Sequence, residues 1–293
     1  MNYIKLIGGL GNQLFQYAFA YHVYKKNNNV KLDISEFKYY RLHKLLIQNF
    51  KIKLLFAKTA EVEKFYLFKN RLLSFYLRLI SRNFYVFINK IFNSSIIYYD
   101  FLKFYKVNNT FHFSNIDCLY DGYWQNFNFL EINKKDLMNQ IKLKRIRPNH
   151  KKFLNKISKK KNSVAIHIRW YRKIKNEDKY HGNINQNYIN KAMKKIEKKI
   201  KNPFYFIFTN STELFFENIK IKDSNHKIIK GFKDYEDLIS IAKCDHQIIS
   251  NSTFGWWGAW LNLNKNKIVI VPKKWFLKKK TPLNLIPKNW IKI

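Results

Sequence analysis

Three short stretches of this chain carry residue types suited to holding a multiply charged anion. Asn251-Ser252-Thr253 opens the run NSTFGWWGAWLN, and all three are helix-capping residues, so backbone N–H groups gather where they stand. A helix N-terminus that follows a strand favours phosphate. His167-Ile168-Arg169 ends a second apolar run, and side chains two apart on a strand share a face, so His167 and Arg169 point the same way. Gly8-Gly9-Leu10-Gly11-Asn12-Gln13 ends a third, where glycine lets backbone approach a ligand. Arginine, imidazole, hydroxyls, helix N-termini and a glycine turn together fit a diphosphate held between two domains. The three are unequal as signals. GGLGN lacks the GxGxxG spacing of dinucleotide sites, and a lone histidine on a strand is commonly a satisfied core residue. An arginine at the end of a buried strand is costly to keep, which makes Arg169 the strongest single candidate.

The elements that must position these residues alternate. The first half reads as strand Tyr3–Ile7, helix Asn12–Lys26, strand Val30–Ile34 and a later strand Cys118–Gly122. Asn133–Asn162 reads as helix, linker and helix. In the second half, strands at Val164–Ile168, Phe204–Phe208, Lys227–Lys230, Gln247–Ser250 and Ile268–Val271 alternate with helices near Asn187–Ile200, Thr212–Ile219, Tyr235–Ala242 and Thr253–Leu261. Short apolar strands between helices predict a parallel sheet, whose ligands lie beyond the carboxyl ends of the strands. The divisions expected are 1–150 and 151–293, with a basic helical insertion at about 51–115. The Trp-rich run Trp256–Trp260 anchors the last helix in the core.

At 293 residues and 46% hydrophobic content the chain can build one large or two ordinary domains. Its 56 basic residues against 19 acidic ones give a net charge of +37, which favours anionic lipid, nucleic acid or phosphorylated substrates. The basic residues are spread along the chain and no nucleic-acid reading motif is present, so no nucleic-acid partner is expected. The two cysteines, Cys118 and Cys244, have neither disulfide nor metal spacing, which points to reduced thiols in the cytosol. The start, MNYIKLIGGLGNQ, lacks the basic segment and long apolar run of a secretion signal. Phe65–Lys106 interleaves aromatics, leucines and basic residues as basic amphipathic helices do, suited either to an anionic membrane surface or to a solvated insertion.

In order along the chain, GGLGNQLFQYAFAY, DGYWQNFNFL, HIR, YHGNINQNYINKA, DYEDLISIAKCDHQIISNSTFGWWGAWLN and VPKKWF…LIPKNWIKI resemble the α-1,2-fucosyltransferases, glycosyltransferase family 11. The resemblance runs nearly end to end and is weakest from about Lys51 to Asn115. It implies a GT-B type fold: α/β, two Rossmann-like domains with parallel sheets facing a cleft. It implies transfer of fucose with inversion from GDP-fucose to a galactose-type 2-hydroxyl of a bacterial surface glycan, with no cofactor and no metal. Arg169 would hold the diphosphate and His167 support the nucleotide side. Ser252, Thr253 and Phe254, with Asn251, would line the donor pocket, and Gly9, Gly11, Asn12 and Gln13 would face donor sugar and acceptor. Tyr123, Trp124 and Gln125 read as structural, with an acceptor-side role as the alternative.

One departure stands out. Where the family reads HIRRGDY, this chain reads His167-Ile168-Arg169-Trp170-Tyr171-Arg172-Lys173. The second arginine is Trp170, whose indole could stack on a base or sugar, and Arg172 or Lys173 could return the lost charge. This opens a second reading, a transferase of the same fold with another nucleotide sugar. A third is a non-catalytic protein held to lipid or nucleic acid by charge. The partners expected are a nucleotide-sugar donor, a lipid-linked glycan acceptor and an anionic membrane surface, at the cytoplasmic inner face of a bacterial inner membrane.

Overall fold

In a computed structural model of the chain, the residues described are 1–38, 42–66, 117–171, 177–221, 225–278, 280–282 and 284–293, with Tyr76, Phe84, Phe87 and the backbone of Ile96–Tyr98. Most of the basic amphipathic stretch expected at Phe65–Lys106 lies outside the described residues, as do Arg172 and Lys173. Two compact units are present, Met1–Lys142 with Pro282–Leu285, and Leu143–Thr281 with Ile286–Ile293. Both are α/β with parallel sheets. Among the described residues no helix is long and apolar enough to cross a membrane.

The first unit contains β1 (Asn2–Lys5), α1 (Leu10–Asn27), β2 (Val30–Asp33), α2 (Thr59–Val62), β3 (Ile96–Tyr98), β4 (Cys118–Asp121), α3 (Asn128–Ile132) and α4 (Lys134–Gln140). Its strands lie in the order β2-β1-β4-β3, every pair parallel. Helix α1 is buried almost all round from Leu10 to Val23, so it is a core helix rather than an amphipathic one. Asn28, at φ 55°, ends it by giving its N–H to the carbonyl of Tyr24. Trp124 stacks on Phe19 with ring centroids 3.7 Å apart, which confirms it as core. Lys5 is buried in the middle of the sheet, with its ammonium 2.7 Å from Glu36, 3.4 Å from Asp121 and over the ring of Tyr66. A buried ammonium is tolerable only with such partners.

The second unit contains α5 (Pro148–Lys159), β5 (Ser163–Ile168), α6 (Glu177–His181), α7 (Gln186–Glu197), β6 (Phe204–Thr209), α8 (Thr212–Asn218), β7 (His226–Ile228), α9 (Asp234–Lys243), β8 (His246–Ile249), α10 (Thr253–Leu261), β9 (Val269–Val271) and β10 (Ile291–Lys292). The six-stranded sheet runs β7-β6-β5-β8-β9-β10, all pairs parallel. The chain therefore works outward from β5 in one direction, then returns to β8 on the other side. That order is the doubly wound one, and its switch point lies between β5 and β8.

Strand β5 shows how the two faces are assigned. Val164, Ile166 and Ile168 join Ile189, Ala192 and Ile196 of α7 on one face. Ala165 faces the other way, into a cluster with Ile157 of α5, Phe206, Phe208 and Ile241 of α9. On that second face, α9 is fixed at its start by a buried carboxylate. Glu236 receives Arg147 Nε at 2.7 Å, a second bond from Arg147 Nη2, and the backbone N–H of Lys233 at 2.9 Å. Helices α9 and α10 approach through Gly258, where a Cβ would stand 2.9 Å from Ile241 Cβ and closer still to its Cγ2. Gly258→Ala is expected to lower stability by roughly 1–3 kcal/mol through overpacking. Chemical denaturation of the purified variant checks this, and an unchanged midpoint would show that the helices separate freely.

Candidate functional site at the switch point of the second sheet

Parallel pairing sets the end of β5 beside the end of β8, with His167 opposite Ile249. Beyond that register the two chains are tied by Ser250. Its N–H donates to the carbonyl of His167 at 2.9 Å, and its hydroxyl oxygen accepts the N–H of Arg169 at 3.1 Å and lies 3.4 Å from His167 Nδ1. His167 and Arg169 are thus brought to the head of α10. Ser252 is the N-cap of that helix, and its hydroxyl oxygen accepts the N–H of Phe254 at 3.3 Å. The ring of Phe254 lies over the imidazole of His167, centroids 5.3 Å apart. Gly255 makes room for that imidazole, because a Cβ there would stand 2.6 Å from Nδ1.

The imidazole is held neutral. Burial, and then the charge of Arg169, press the pKa of His167 down to about 3. Among the described residues, Arg169 itself has no carboxylate partner and is half-buried. A guanidinium, a capped helix N-terminus and backbone N–H groups at one sheet edge are groups suited to binding an anion. His167, Arg169, Ser252, Thr253 and Phe254 are the expected residues that the fold brings together here.

Asn251 is placed differently from the expectation. Its side-chain amide donates to the carbonyls of His181 at 2.6 Å, Gly182 at 3.1 Å and Trp275 at 3.2 Å, which makes it a brace behind the helix rather than a free donor. Tyr171 reinforces the same corner, its hydroxyl donating to the carbonyl of Asn251 at 2.7 Å and its ring stacking on His181. Trp170 corrects a second expectation. It continues the alternation Val164, Ile166, Ile168 and is 5% exposed within the apolar cluster on α7, so its indole does not face a ligand at this edge. Its backbone is fastened to Asn210 in both directions, at 2.7 and 3.1 Å.

The remaining expected residues belong to the first unit. Gly9 is the N-cap of α1 and Gly11 lies inside the helix, so only Gly8 and Gly9 form the turn. Gly8, at φ +84°, adopts a backbone that side chains avoid. The side-chain oxygen of Asn12 accepts from Gln125 at 3.0 Å. Gln13 is fully buried and its amide is saturated: it donates to the carbonyls of Gly8 (2.8 Å) and Lys44 (2.9 Å) and accepts the N–H groups of Leu46 (2.9 Å) and Ile47 (3.1 Å). Gln13 holds structure and has no hydrogen-bonding capacity left for a substrate.

Asp237 lies in the first turn of α9, within the helix expected near Tyr235–Ala242. In the structure, α9 returns antiparallel to β7 and β8, so its first turn stands at the carboxyl edge of the sheet. Burial, then the charges of Asp234 and Glu236, raise the Asp237 carboxyl to about 7. Among the described residues, its Oδ1 is buried without a hydrogen-bond partner. The readable signal was position: Asp237 precedes Ile241 by four residues and so shares its inward stripe.

The family model for glycosyl transferase family 11 matches residues 1–293, the whole chain. The chain belongs to glycosyl transferase family 11. This family 11 glycosyltransferase is 26% identical to an alpha-1,2-colitosyltransferase of Escherichia coli, over 99% of its length and 97% of the relative's. It is 29% identical to the Escherichia coli O-antigen biosynthesis glycosyltransferase WbnK, over 94% of each chain. Among solved structures, the fucosyltransferase NodZ from Bradyrhizobium shares its fold with a TM-score of 0.53 at 11% identity, covering 88% of this chain and 92% of that one. The fold is accordingly of the GT-B type.

Two expected outcomes follow for this family 11 enzyme. Trp170→Arg, which writes the usual family motif back into the sequence, places a charge in the apolar cluster under α7. It is expected to destabilise the protein by about 3 kcal/mol or more rather than to improve donor binding. Equilibrium denaturation together with GDP titration checks this, and a variant as stable as wild type would show that the strand end can turn over. The second concerns acid. The unfolded chain protonates His167 near the ordinary imidazole value of about 6.5, whereas the folded chain does so only near 3. His167 therefore costs no stability above pH 6.5 and lowers it increasingly as pH falls toward 3, with a slope approaching 1.4 kcal/mol per pH unit. His167→Gln should flatten the acid side of the stability curve, and an unaltered slope would contradict the buried neutral imidazole.

Proposed function

We propose that the protein transfers fucose from GDP-fucose, with inversion and without a metal ion, to a galactose-type 2-hydroxyl of a bacterial O-antigen. The observation that carries the donor side is the guanidinium of Arg169 at the head of α10, without a carboxylate partner among the described residues and beside the neutral imidazole of His167. A nucleotide diphosphate gains charge as it leaves, and fixed positive donors stabilise that charge without reorganisation. The acceptor class is supported by the O-antigen relative, and the fucosyl donor by the family motifs. On this reading Arg169 grips the diphosphate, His167 and Phe254 pack against the nucleotide, and Ser252 and Thr253 supply the helix-end contacts. Gly9 and Asn12 serve the first unit's side of the reaction. The net charge of +37 suits a lipid-linked acceptor at an anionic inner-membrane surface.

A second donor is favoured by one finding, the match along almost the whole chain to an alpha-1,2-colitosyltransferase. GDP-colitose is the alternative nucleotide sugar. Calorimetric titration with GDP, GDP-fucose, GDP-colitose, GDP-mannose and UDP-galactose at two salt concentrations separates these readings. GDP-fucose is expected to bind most tightly and to survive moderate salt. Preference for GDP-colitose would replace the donor while keeping the reaction. Binding that is unselective and lost with salt would refute nucleotide-sugar transfer. Arg169→Ala should weaken GDP roughly ten- to hundredfold, the value of a charge-assisted hydrogen bond, with the fold intact.

A further inference from the structure

The donor residues stand at the carboxyl edge of the second sheet, and a surface of another kind stands at its amino edge. Helices α5, α7, α9 and α10 run back to that edge before the chain enters β5, β6, β8 and β9. These crossings bring Lys160, Lys161, Lys199, Lys201, Lys243 and Lys265 to it, all exposed. Hydrogen bonds tie the crossings together. Asn162 donates its side-chain amide to the carbonyl of Lys201 at 2.7 Å, and its own carbonyl accepts the N–H of Phe204 at 3.1 Å. The ammonium of Lys160 lies over the ring of Phe204, 4.3 Å from its centroid. Asp245, two residues after Lys243, accepts the backbone N–H and the hydroxyl of Ser163, each at 3.0 Å. The carbonyl of Asp245 receives the side-chain amides of Asn262 at 3.1 Å and Asn264 at 3.2 Å, which fastens the loop of Leu263 and Lys265 to the same edge.

The charge gathered there is one-sided. No acidic residue occurs between Asp136 and Glu177. Among the described residues, none of these lysines forms an ion pair. The carboxylates that flank them in sequence hold other groups, Asp245 the serine and Glu197 the hydroxyl of Tyr205 at 3.0 Å. A helix C-terminus favours a cation in its last turn, which accounts for Lys243. Lys160, Lys161, Lys199 and Lys201 lie past the ends of α5 and α7. Like charges collected at one edge repel one another, and an anionic partner relieves that repulsion. The cations are lysines throughout. Arginine is the residue of planar, bidentate phosphate recognition, whereas lysine carries a point charge on a flexible stem, which suits a fluid layer of headgroups. Leu263, on the loop that carries Lys265, is 80% exposed and adds an apolar side chain to the edge.

We propose that the amino edge of the second sheet is the surface that docks on an anionic lipid bilayer, with its lysines against the headgroups and Leu263 in the interface. This assigns a surface to the membrane location proposed above and rests on that reading. The edge lies at the opposite end of the strands from Arg169 and Ser252, so docking does not cover the donor residues.

The test sediments the full chain with vesicles of phosphatidylcholine, alone or mixed with phosphatidylglycerol, at low and physiological salt. Binding is expected to the mixed vesicles only and to weaken as salt rises. Lys161→Gln, Lys199→Gln and Lys201→Gln together should lower partitioning about a hundredfold, from roughly fivefold for each lysine, with the denaturation midpoint and GDP affinity unchanged. Leu263→Asn should lower it severalfold and leave its salt dependence as in wild type. Lys230→Gln, Lys273→Gln and Lys274→Gln remove the same charge from the carboxyl edge and should cost far less. Equal losses in the two triple variants would overturn the assignment of this edge, as would equal binding to both kinds of vesicle or binding to neither. Tighter binding of single-stranded RNA than of mixed vesicles at physiological salt, lost in the amino-edge triple variant, would give the edge to nucleic acid and overturn the proposal too. Selective nucleotide-sugar binding without vesicle binding would leave the transferase reading standing while docking fails, and the opposite pair of results would fail the transferase reading alone.

Discussion

The chemistry of the second unit depends on β5 and β8 lying side by side and parallel. Neither strand carries a site alone. Strand β5 ends in an imidazole and a guanidinium, and β8 ends in a serine and a helix start. Once paired, Ser250 accepts the backbone N–H of Arg169 and lies beside the imidazole of His167, so one hydroxyl fixes the strand end and the ring together. The doubly wound order makes this junction the place where helices depart to opposite faces. Topology alone thus brings His167, Arg169 and the head of α10 together.

Packing behind that edge explains which residues are free to act. The arginine is half-buried and without a counter-ion among the described residues, while its neighbours are committed. Asn251 spends its amide on three carbonyls, Tyr171 fastens the same corner, and Trp170 faces the core. Alternation along a strand decides between Arg169 and Trp170: consecutive side chains point to opposite faces, so only one of two adjacent residues can reach the ligand edge. The change from arginine to tryptophan at position 170 is thereby a packing change on the α7 face. Glycines do the complementary work, since Gly255 admits the imidazole of His167 and Gly258 admits Ile241.

The first unit repeats the logic with different parts. Its glycine turn, its core helix and the saturated amide of Gln13 make an edge carrying Asn12 and Gln125. Lys5 shows the electrostatic side of the same economy in a chain of net charge +37. The buried ammonium gathers Glu36 and Asp121 from two other segments, fixing the strand ends that the site requires.

By itself the sequence determined the α/β class, the parallel sheets, most strand and helix positions in the second half, and the family. Those features are local: apolar runs of strand length, capping residues and ordered motifs are all written within a few residues of one another. Arg169, His167 and the cap at Ser252 were legible for the same reason. What the tertiary structure decided was direction and commitment. Asn251 and Gln13 looked like ligand contacts because both are polar residues in motifs, and only the folded chain supplies the carbonyls and N–H groups that occupy them. Trp170 looked like a substituted ligand residue until the α7 face claimed it. The raised carboxyl of Asp237 became visible through its burial. Hydrogen-bond saturation and burial depend on partners brought together by folding, and no local spacing encodes them.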